Sequence, residues 1–372
     1  MSKQKKMINL HSTTITQDGI DLVLETLRLT HISAGKKANL FEQMISEKYG
    51  FENTISINSG TATMALSLMA AGVGPGDEVI LPAQTFIATG HVILQCGATP
   101  IFADINKFDG NISVDSIRDK ITEKTKAIIP VHWAGYPCDM DPISELAKKN
   151  EIYVIEDAAH AFAAKYKGRW IGSISDFTSF SLQAIKHLTT GDGGLVICKS
   201  SEMAELIKRL RWFDIDREKS TLSILGEREY DAINVGFKYH MNDIAASLGI
   251  GNLGSIDSKI ARIKSVAKIY ETELNNVSGL QLMKYEEDRE SSYWLFPLIV
   301  ENRIDFINKL KENGVPSSVV HLGIDKNTVF GGKDYSLINQ RYFDDNQIHI
   351  PIHADLSDED VRLIVDTIKS GW

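Results

Sequence analysis

Residues 179–198 read SFSLQAIKHLTTGDGGLVIC. Ser179-Phe180-Ser181 closes a polar, hydroxyl-bearing strand, and Leu195-Val196-Ile197-Cys198 reads as the next, apolar one. Between them stand a single lysine, Lys186, two threonines, and the turn Gly191-Asp-Gly-Gly194. Glycines in such a turn permit backbone angles that other residues avoid. The pattern predicts a lysine held at a bend between two strands. Such a lysine is either an ordinary solvated side chain or an amine placed to attack a carbonyl. The second role needs a lowered pKa and a fixed approach, and the hydroxylated, glycine-rich surroundings favour it.

Working outward, short apolar runs alternate with helical patterns. Strands are expected at Thr54–Asn58, Glu78–Leu81, Pro100–Ala103, Lys126–Val131 and Ile152–Ile155, with helices between them. This alternation implies an α/β fold with a mainly parallel sheet covered on both faces. Such sheets bind ligands beyond the carboxyl ends of their strands. Three elements fall there: Asn58-Ser-Gly-Thr61, Glu156-Asp157 and Ser181. Further on, Ser201–Trp212 reads as a helix and Phe213–Tyr230 as a charged surface or subunit-contact loop. One long helix is expected over Ile244–Leu274, bent near Gly249, Gly251 and Gly254. The bend suggests a domain border, with a large domain over 1–250, including a polar arm at 1–16, and a small C-terminal domain over 251–372. In the latter, Tyr293–Val300 and Ser317–His321 read as strands, and Ser357 with Asp360 forms a capping box before the last helix.

Each candidate residue has a plain alternative. The strand Ile152–Ile155 runs into two carboxylates, Glu156 and Asp157. They either cap a turn, or one of them pairs with a buried cation. His160 either approaches the same site or is a packed histidine. Gly60 and Thr61 open a helix whose free N–H groups suit a phosphate, although Ser-Gly-Thr also serves as a simple N-cap. Phe86 either stacks on a flat ring or joins the core.

The 372 residues carry a formal net charge of -9, which argues against nucleic acid or an anionic membrane as partner. Three scattered cysteines, Cys96, Cys138 and Cys198, support neither a disulfide framework nor a metal site, and fit a reducing, cytoplasmic setting. MSKQKKMINL lacks the apolar run of a signal peptide, and no stretch reads as a membrane span.

Taken in order, these motifs match a family. SGTATMAL (Ser59–Leu66), PGDEVILPAQTF (Pro75–Phe86), GATPIFADI (Gly97–Ile105), VIEDAAHA (Val154–Ala161), the Ser181–Gly194 stretch and VGFKYHMNDIAASLG (Val235–Gly249) carry the likeness. Over most of its length the chain resembles the DegT/StrS-type sugar aminotransferases, within the fold type I enzymes that use pyridoxal 5'-phosphate (PLP). The resemblance implies that Lys186 forms the imine link to PLP and then moves the proton between substrate and cofactor carbons. It implies that Asp157 pairs with the ring nitrogen, and that Ser181, Gly60 and Thr61 hold the phosphate. Phe86 would lie against the ring face. His160 would sit near the ring hydroxyl, where many members have glutamine. Lys238 would reach the phosphate of the partner subunit's cofactor. It stands where many members have asparagine, and His240 replaces the family's arginine.

The reaction so implied is ping-pong transfer of an amine from glutamate, through the pyridoxamine (PMP) form, to a nucleotide-linked keto-deoxy sugar. C4 is favoured over C3, in surface polysaccharide, lipopolysaccharide or other glycan synthesis, by a homodimer. His321 is either a substrate contact or structural. Two alternatives stand beside this. One is a PLP/PMP-dependent sugar dehydratase, whose relatives replace the lysine by histidine, whereas here histidine is found only at His187. The other is a non-catalytic regulatory protein on the same fold, which would have no need of the amine.

Overall fold

The computed structural model describes residues 8–217 and 219–372. The arm expected at 1–16 therefore lies partly outside the described residues. Helices α1 (Gln17–Leu29) and α2 (Lys36–Tyr49) come first. Then β1 (Asn53–Ile57), α3 (Gly60–Ala70), β2 (Glu78–Pro82), α4 (Ile87–Gln95), β3 (Thr99–Ala103), α5 (Val114–Lys120), β4 (Thr125–Ile128), α6 (Met140–Lys149) and β5 (Tyr153–Asp157) alternate, as the sequence predicts. Two very short strands, β6 (Lys165–Tyr166) and β7 (Arg169–Trp170), lead to β8 (Phe177–Ser181), β9 (Gly194–Cys198) and α7 (Ser201–Leu210). A ribbon of β10 (Thr221–Leu222) and β11 (Arg228–Glu229) precedes α8 (Asp243–Leu253) and α9 (Ile256–Glu273). The C-terminal part holds β12 (Leu280–Leu282), β13 (Arg289–Glu290), β14 (Phe296–Val300), α10 (Arg303–Glu312), α11 (Ile338–Asn346), β15 (Gln347–Ile350) and α12 (Asp358–Lys369).

The main sheet has seven strands in the order β1-β9-β8-β5-β4-β2-β3. From β3 to β8 all pairings are parallel, and only β9 runs against its neighbours β8 and β1. Most strands carry apolar side chains toward both faces because both faces are covered, whereas β1 and β8 intersperse them with threonine and serine. Alternate residues divide between two cores. Ile80, Ile128, Val154, Phe180 and Leu195 face the layer of α2, α5, α6 and α8. Val79, Leu81, Ala127, Ile155 and Val196 face the layer of α3, α4 and α7. A third core joins α9, α10 and α12 to the antiparallel sheet β12-β14-β15. No helix among the described residues is long and apolar enough to cross a membrane.

Two expected elements differ. The helix expected over Ile244–Leu274 is two, α8 and α9, broken at Gly254–Ser255. Gly249 and Gly251 lie inside α8 rather than at a bend, and serve close packing instead. A Cβ on Gly251 would stand 2.2 Å from the Gly19 nitrogen and 2.4 Å from its Cα, so α1 and α8 meet backbone to backbone. The segment Ser317–His321 is irregular except for a single bridge from Ser318 to His349. The His321 carbonyl accepts instead from the side-chain amides of Gln84 (3.2 Å) and Gln347 (2.8 Å).

The α1–α8 contact yields a stability prediction. Gly251→Ala gains helix propensity of about 1 kcal/mol. The new methyl meets backbone that cannot turn away, a cost of about 1–3 kcal/mol or more. The net expectation is a lower thermal midpoint, measured by circular dichroism; an unchanged or raised midpoint would contradict it.

Candidate active site

Because the strands from β3 to β8 run parallel, their carboxyl ends share one edge of the sheet. The loops there wall a cavity of about 380 Å³. Gly60, Thr61, Phe86, Asp157, His160, Ser181, Lys186 and His321 all line it, although they are scattered along the chain.

Lys186 sits on the β8–β9 connection. The loop is closed by backbone bonds from Leu182 to Gly193 (2.8 Å) and from Thr190 to Leu182 (3.0 Å). Gly191 has φ +83°, and a Cβ on Gly193 would come within 2.2 Å of the Thr190 hydroxyl, so this turn demands its glycines. The neighbours of Lys186 are pinned from the C-terminal part. Trp294 Nε1 donates to the Ile185 carbonyl at 3.0 Å, and His187 Nε2 donates to the Ser292 carbonyl at 2.9 Å. The amine itself lies 3.4 Å from the centre of the Trp294 ring. Burial pushes its pKa down to about 7, against the opposing pull of Asp157.

The acidic pair of β5 splits, as adjacent strand residues must. Glu156 points away from the cavity, into the protein. The Cys138 N–H donates to His132 Nδ1 at 3.0 Å, so the proton of that ring is on Nε2, which donates to Glu156 at 2.8 Å. Thr178 donates to the other Glu156 oxygen at 2.9 Å, which makes this carboxylate structural. Asp157 points into the cavity. It accepts from the Thr89 hydroxyl at 2.8 Å and from the Ala159 N–H at 3.2 Å. Thr85 in turn donates to Thr89 at 2.7 Å. Burial raises the Asp157 pKa, while Thr89, Ala159 and Lys186 hold it back.

At the opposite wall, Ser59 caps α3 through the Ala62 N–H (3.1 Å). The N–H groups of Gly60 and Thr61 have no partner among the described residues. A Cβ on Gly60 would stand 2.9 Å from that of Ser181, so the helix start and the β8 end form one close cradle that only glycine allows. With a buried carboxylate at one wall, a lysine of lowered pKa and an anion cradle at another, the residues present fit the phosphate-bearing cofactor that the resemblance implies.

His160 is buried and stacked on Trp294, with ring centres 3.8 Å apart, and its Nδ1 has no partner among the described residues. Burial and the Lys186 charge hold its pKa well below the usual value, so the ring is neutral. Phe86 is 52% exposed at the start of α4, and its ring lies 5.2 Å from that of His321. Lys238 is the one sequence candidate outside the cavity. It is exposed, beside Asn58, whose side-chain amide donates to the Lys238 carbonyl at 3.4 Å.

Thr85, Thr89, Trp294 and His11 also line the cavity, and sequence reading passes over them. Thr85 and Thr89 had a weak signal, two hydroxyls on either side of the strand-to-helix join that opens α4 at Ile87. Trp294 and His11 had none, because only tertiary packing brings them there.

Comparison with known proteins finds a matching family and similar solved structures. The model of the DegT/DnrJ/EryC1/StrS aminotransferase family matches residues 13–369. UDP-4-amino-4-deoxy-L-arabinose–oxoglutarate aminotransferase of Shewanella sediminis is 32% identical over 371 residues, 95% of each chain. The crystal structure of the sugar aminotransferase CalS13 from Micromonospora echinospora superposes with a TM-score of 0.94 at 30% identity, covering 98% of this chain and all of that one. The PLP form of Spr1654 from Streptococcus pneumoniae superposes with a TM-score of 0.90 at 34% identity, covering 98% of each chain.

Proposed function

The chain belongs to the DegT/DnrJ/EryC1/StrS aminotransferase family, and we propose that it moves an amine from glutamate to the ketone of a nucleotide-linked keto-deoxy sugar, at C4 in preference to C3, for polysaccharide or other glycan synthesis. The observation that carries the reading is a lysine of pKa about 7 sharing one cavity with a buried carboxylate. The choice of glutamate and C4 draws on the Shewanella relative, whose name pairs a 4-amino sugar with oxoglutarate.

PLP, the family's cofactor, supplies when bound a conjugated ring that spreads the charge left by a departing proton. The chain's own residues do the rest. Near pH 7 roughly half of an amine with this pKa is unprotonated, so Lys186 can attack a carbonyl, and can take a proton and return it. Asp157 presents a buried carboxylate to a protonated ring nitrogen, oriented by Thr89 and the Ala159 N–H. The Gly60 and Thr61 N–H groups and the Ser181 hydroxyl serve phosphate oxygens at the positive end of α3. His160, neutral and stacked on Trp294, lends its free nitrogen to the ring hydroxyl side.

Capture of PLP by the cofactor-free protein tests the lysine directly. Only the neutral amine reacts, so the rate should rise with pH and level off above about 7 rather than near 10.4, the ordinary lysine value. Asp157→Asn removes the charge that raises this pKa and should move the midpoint lower. The growth of the lysine-bound absorbance reads both, and a midpoint near 10 would overturn the assignment.

The same reading includes a homodimer in which Lys238 serves the partner's phosphate. The segment around β10 and β11 leaves Leu222, Ile224, Leu225, Ile233 and Val235 more than half exposed, a patch suited to burial against a second copy. An active monomer at high dilution would contradict it. A cytoplasmic location fits the three free thiols; recovery in an extracytoplasmic fraction would contradict that. The deciding experiment offers UDP-, dTDP- and GDP-linked keto sugars with glutamate and locates the new amine by NMR. Transfer to C3 would overturn the position, and transfer to none of them would overturn the substrate class.

A further inference from the structure

The segment from Ile8 to Thr16 has no regular secondary structure, yet it is fastened on both sides of His11. Ile8 is buried in the C-terminal core. The Asn9 carbonyl accepts from His353 Nε2 at 3.1 Å. The Ser12 hydroxyl donates to the Asp355 carboxylate, and the Thr14 hydroxyl does so at 3.1 Å. The Thr16 N–H and hydroxyl bond to the Asn252 side chain at 2.9 and 3.1 Å. Such fastening of an irregular strap fixes what it carries. His11 is laid against Trp294, ring centres 5.3 Å apart and planes 15° from parallel, beside the indole on which the Lys186 amine rests. Its ring nitrogens have no hydrogen-bond partner among the described residues, and the residue lines the active-site cavity.

We propose that His11 is a specificity contact that hydrogen-bonds a hydroxyl of the acceptor sugar beside the ketone. This rests on the sugar aminotransferase reading. Burial and the Lys186 charge push the His11 pKa down to about 4, so the ring is neutral near pH 7 and offers one donor and one acceptor. A hydroxyl also donates and accepts, and matches it. A carboxylate of the amino donor only accepts, so it would use the ring N–H and leave the acceptor nitrogen unmatched, whereas a hydroxyl engages both. Stacking on Trp294 fixes the ring plane, so His11 can favour one hydroxyl configuration over its epimer.

His11→Phe keeps the stacked ring and removes both nitrogens. The two half-reactions of the holoenzyme are followed separately by cofactor absorbance. Glutamate drives the first, and whichever UDP-, dTDP- or GDP-linked 4-keto-6-deoxyhexose the wild type accepts drives the second. The glutamate half should be unchanged. The KM of the sugar half should rise roughly 5- to 100-fold, as for a buried hydroxyl left unpaired. The dissociation constant of the aminated sugar nucleotide, measured by calorimetry, should rise with it. Asp355→Ala loosens the strap and should give the same one-sided pattern in smaller degree. Equal losses in both halves, or an unchanged sugar half, would overturn the proposal. If the wild type itself accepts no keto sugar, the sugar reading falls first, a result independent of either variant.

Discussion

Lys186→Ala is expected to lower amine transfer by about 10⁴-fold or more, beyond what loss of a general acid–base group alone removes, because on the proposed mechanism the covalent attachment point goes as well. The variant should fold normally. A lysine whose pKa is pushed down to about 7 by burial is a cost to the folded state, and alanine removes that cost. The loop holds its shape through backbone bonds and through the Trp294 and His187 anchors, none of which involves the Lys186 side chain. The sharper readout is spectroscopic. Wild-type protein with PLP should carry a lysine-bound chromophore that borohydride fixes to the chain, and the variant should carry none. Substantial turnover of keto sugar with glutamate in Lys186→Ala would overturn the mechanism. A regulatory protein on this fold would lose nothing of its function in the variant, so the same substitution separates the enzyme from that alternative.

How far the sequence could be read follows from what each residue's placement depends on. The sheet was legible because strands such as β2, β5 and β9 are buried and leave short apolar runs, and because α/β order follows from strict alternation; β8, with Thr178, Ser179 and Ser181 among its five residues, leaves no such run. Lys186, Asp157 and the Gly60-Thr61 helix start were legible because each stands at a strand end within its own local motif. Their meeting in one cavity required only that the strands run parallel. The acidic pair was only half legible. Strand alternation sends Glu156 and Asp157 to opposite sides, but which side holds the site depends on His132 and Thr178, which bond Glu156. Trp294 and His11 were illegible, because the side chains that place them come from distant parts of the chain and no local pattern marks either one. The strand expected at Ser317–His321 failed for a related reason. Gln84 and Gln347 take the carbonyl that a ladder would use, and neither glutamine announces that partner in sequence.

Asp157→Asn isolates the electrostatic part of the mechanism. The change is isosteric, and the site can absorb it without leaving a polar group unpaired. At present Thr89 donates to the carboxylate and receives from Thr85. With an amide at position 157, the Thr89 hydroxyl can rotate to accept from that amide and donate to Thr85. The Ala159 N–H keeps an oxygen acceptor. Folding should therefore survive, and burial of a neutral amide costs less than burial of a carboxylate. The cradle proposed for the phosphate at Gly60, Thr61 and Ser181 is untouched, so PLP should still bind. On the proposed mechanism, what is lost is the negative charge that keeps the ring nitrogen protonated. By analogy with other single electrostatic contacts in active sites, the expected fall in turnover is about 10²–10³-fold. The signature is a split: cofactor content near that of wild type, measured by absorbance after alkaline release, with both half-reactions slowed together. That equal slowing distinguishes Asp157 from His11, whose loss should touch only the sugar half. Near-normal turnover in Asp157→Asn would remove the electron-sink argument and leave Lys186 to account for the chemistry alone.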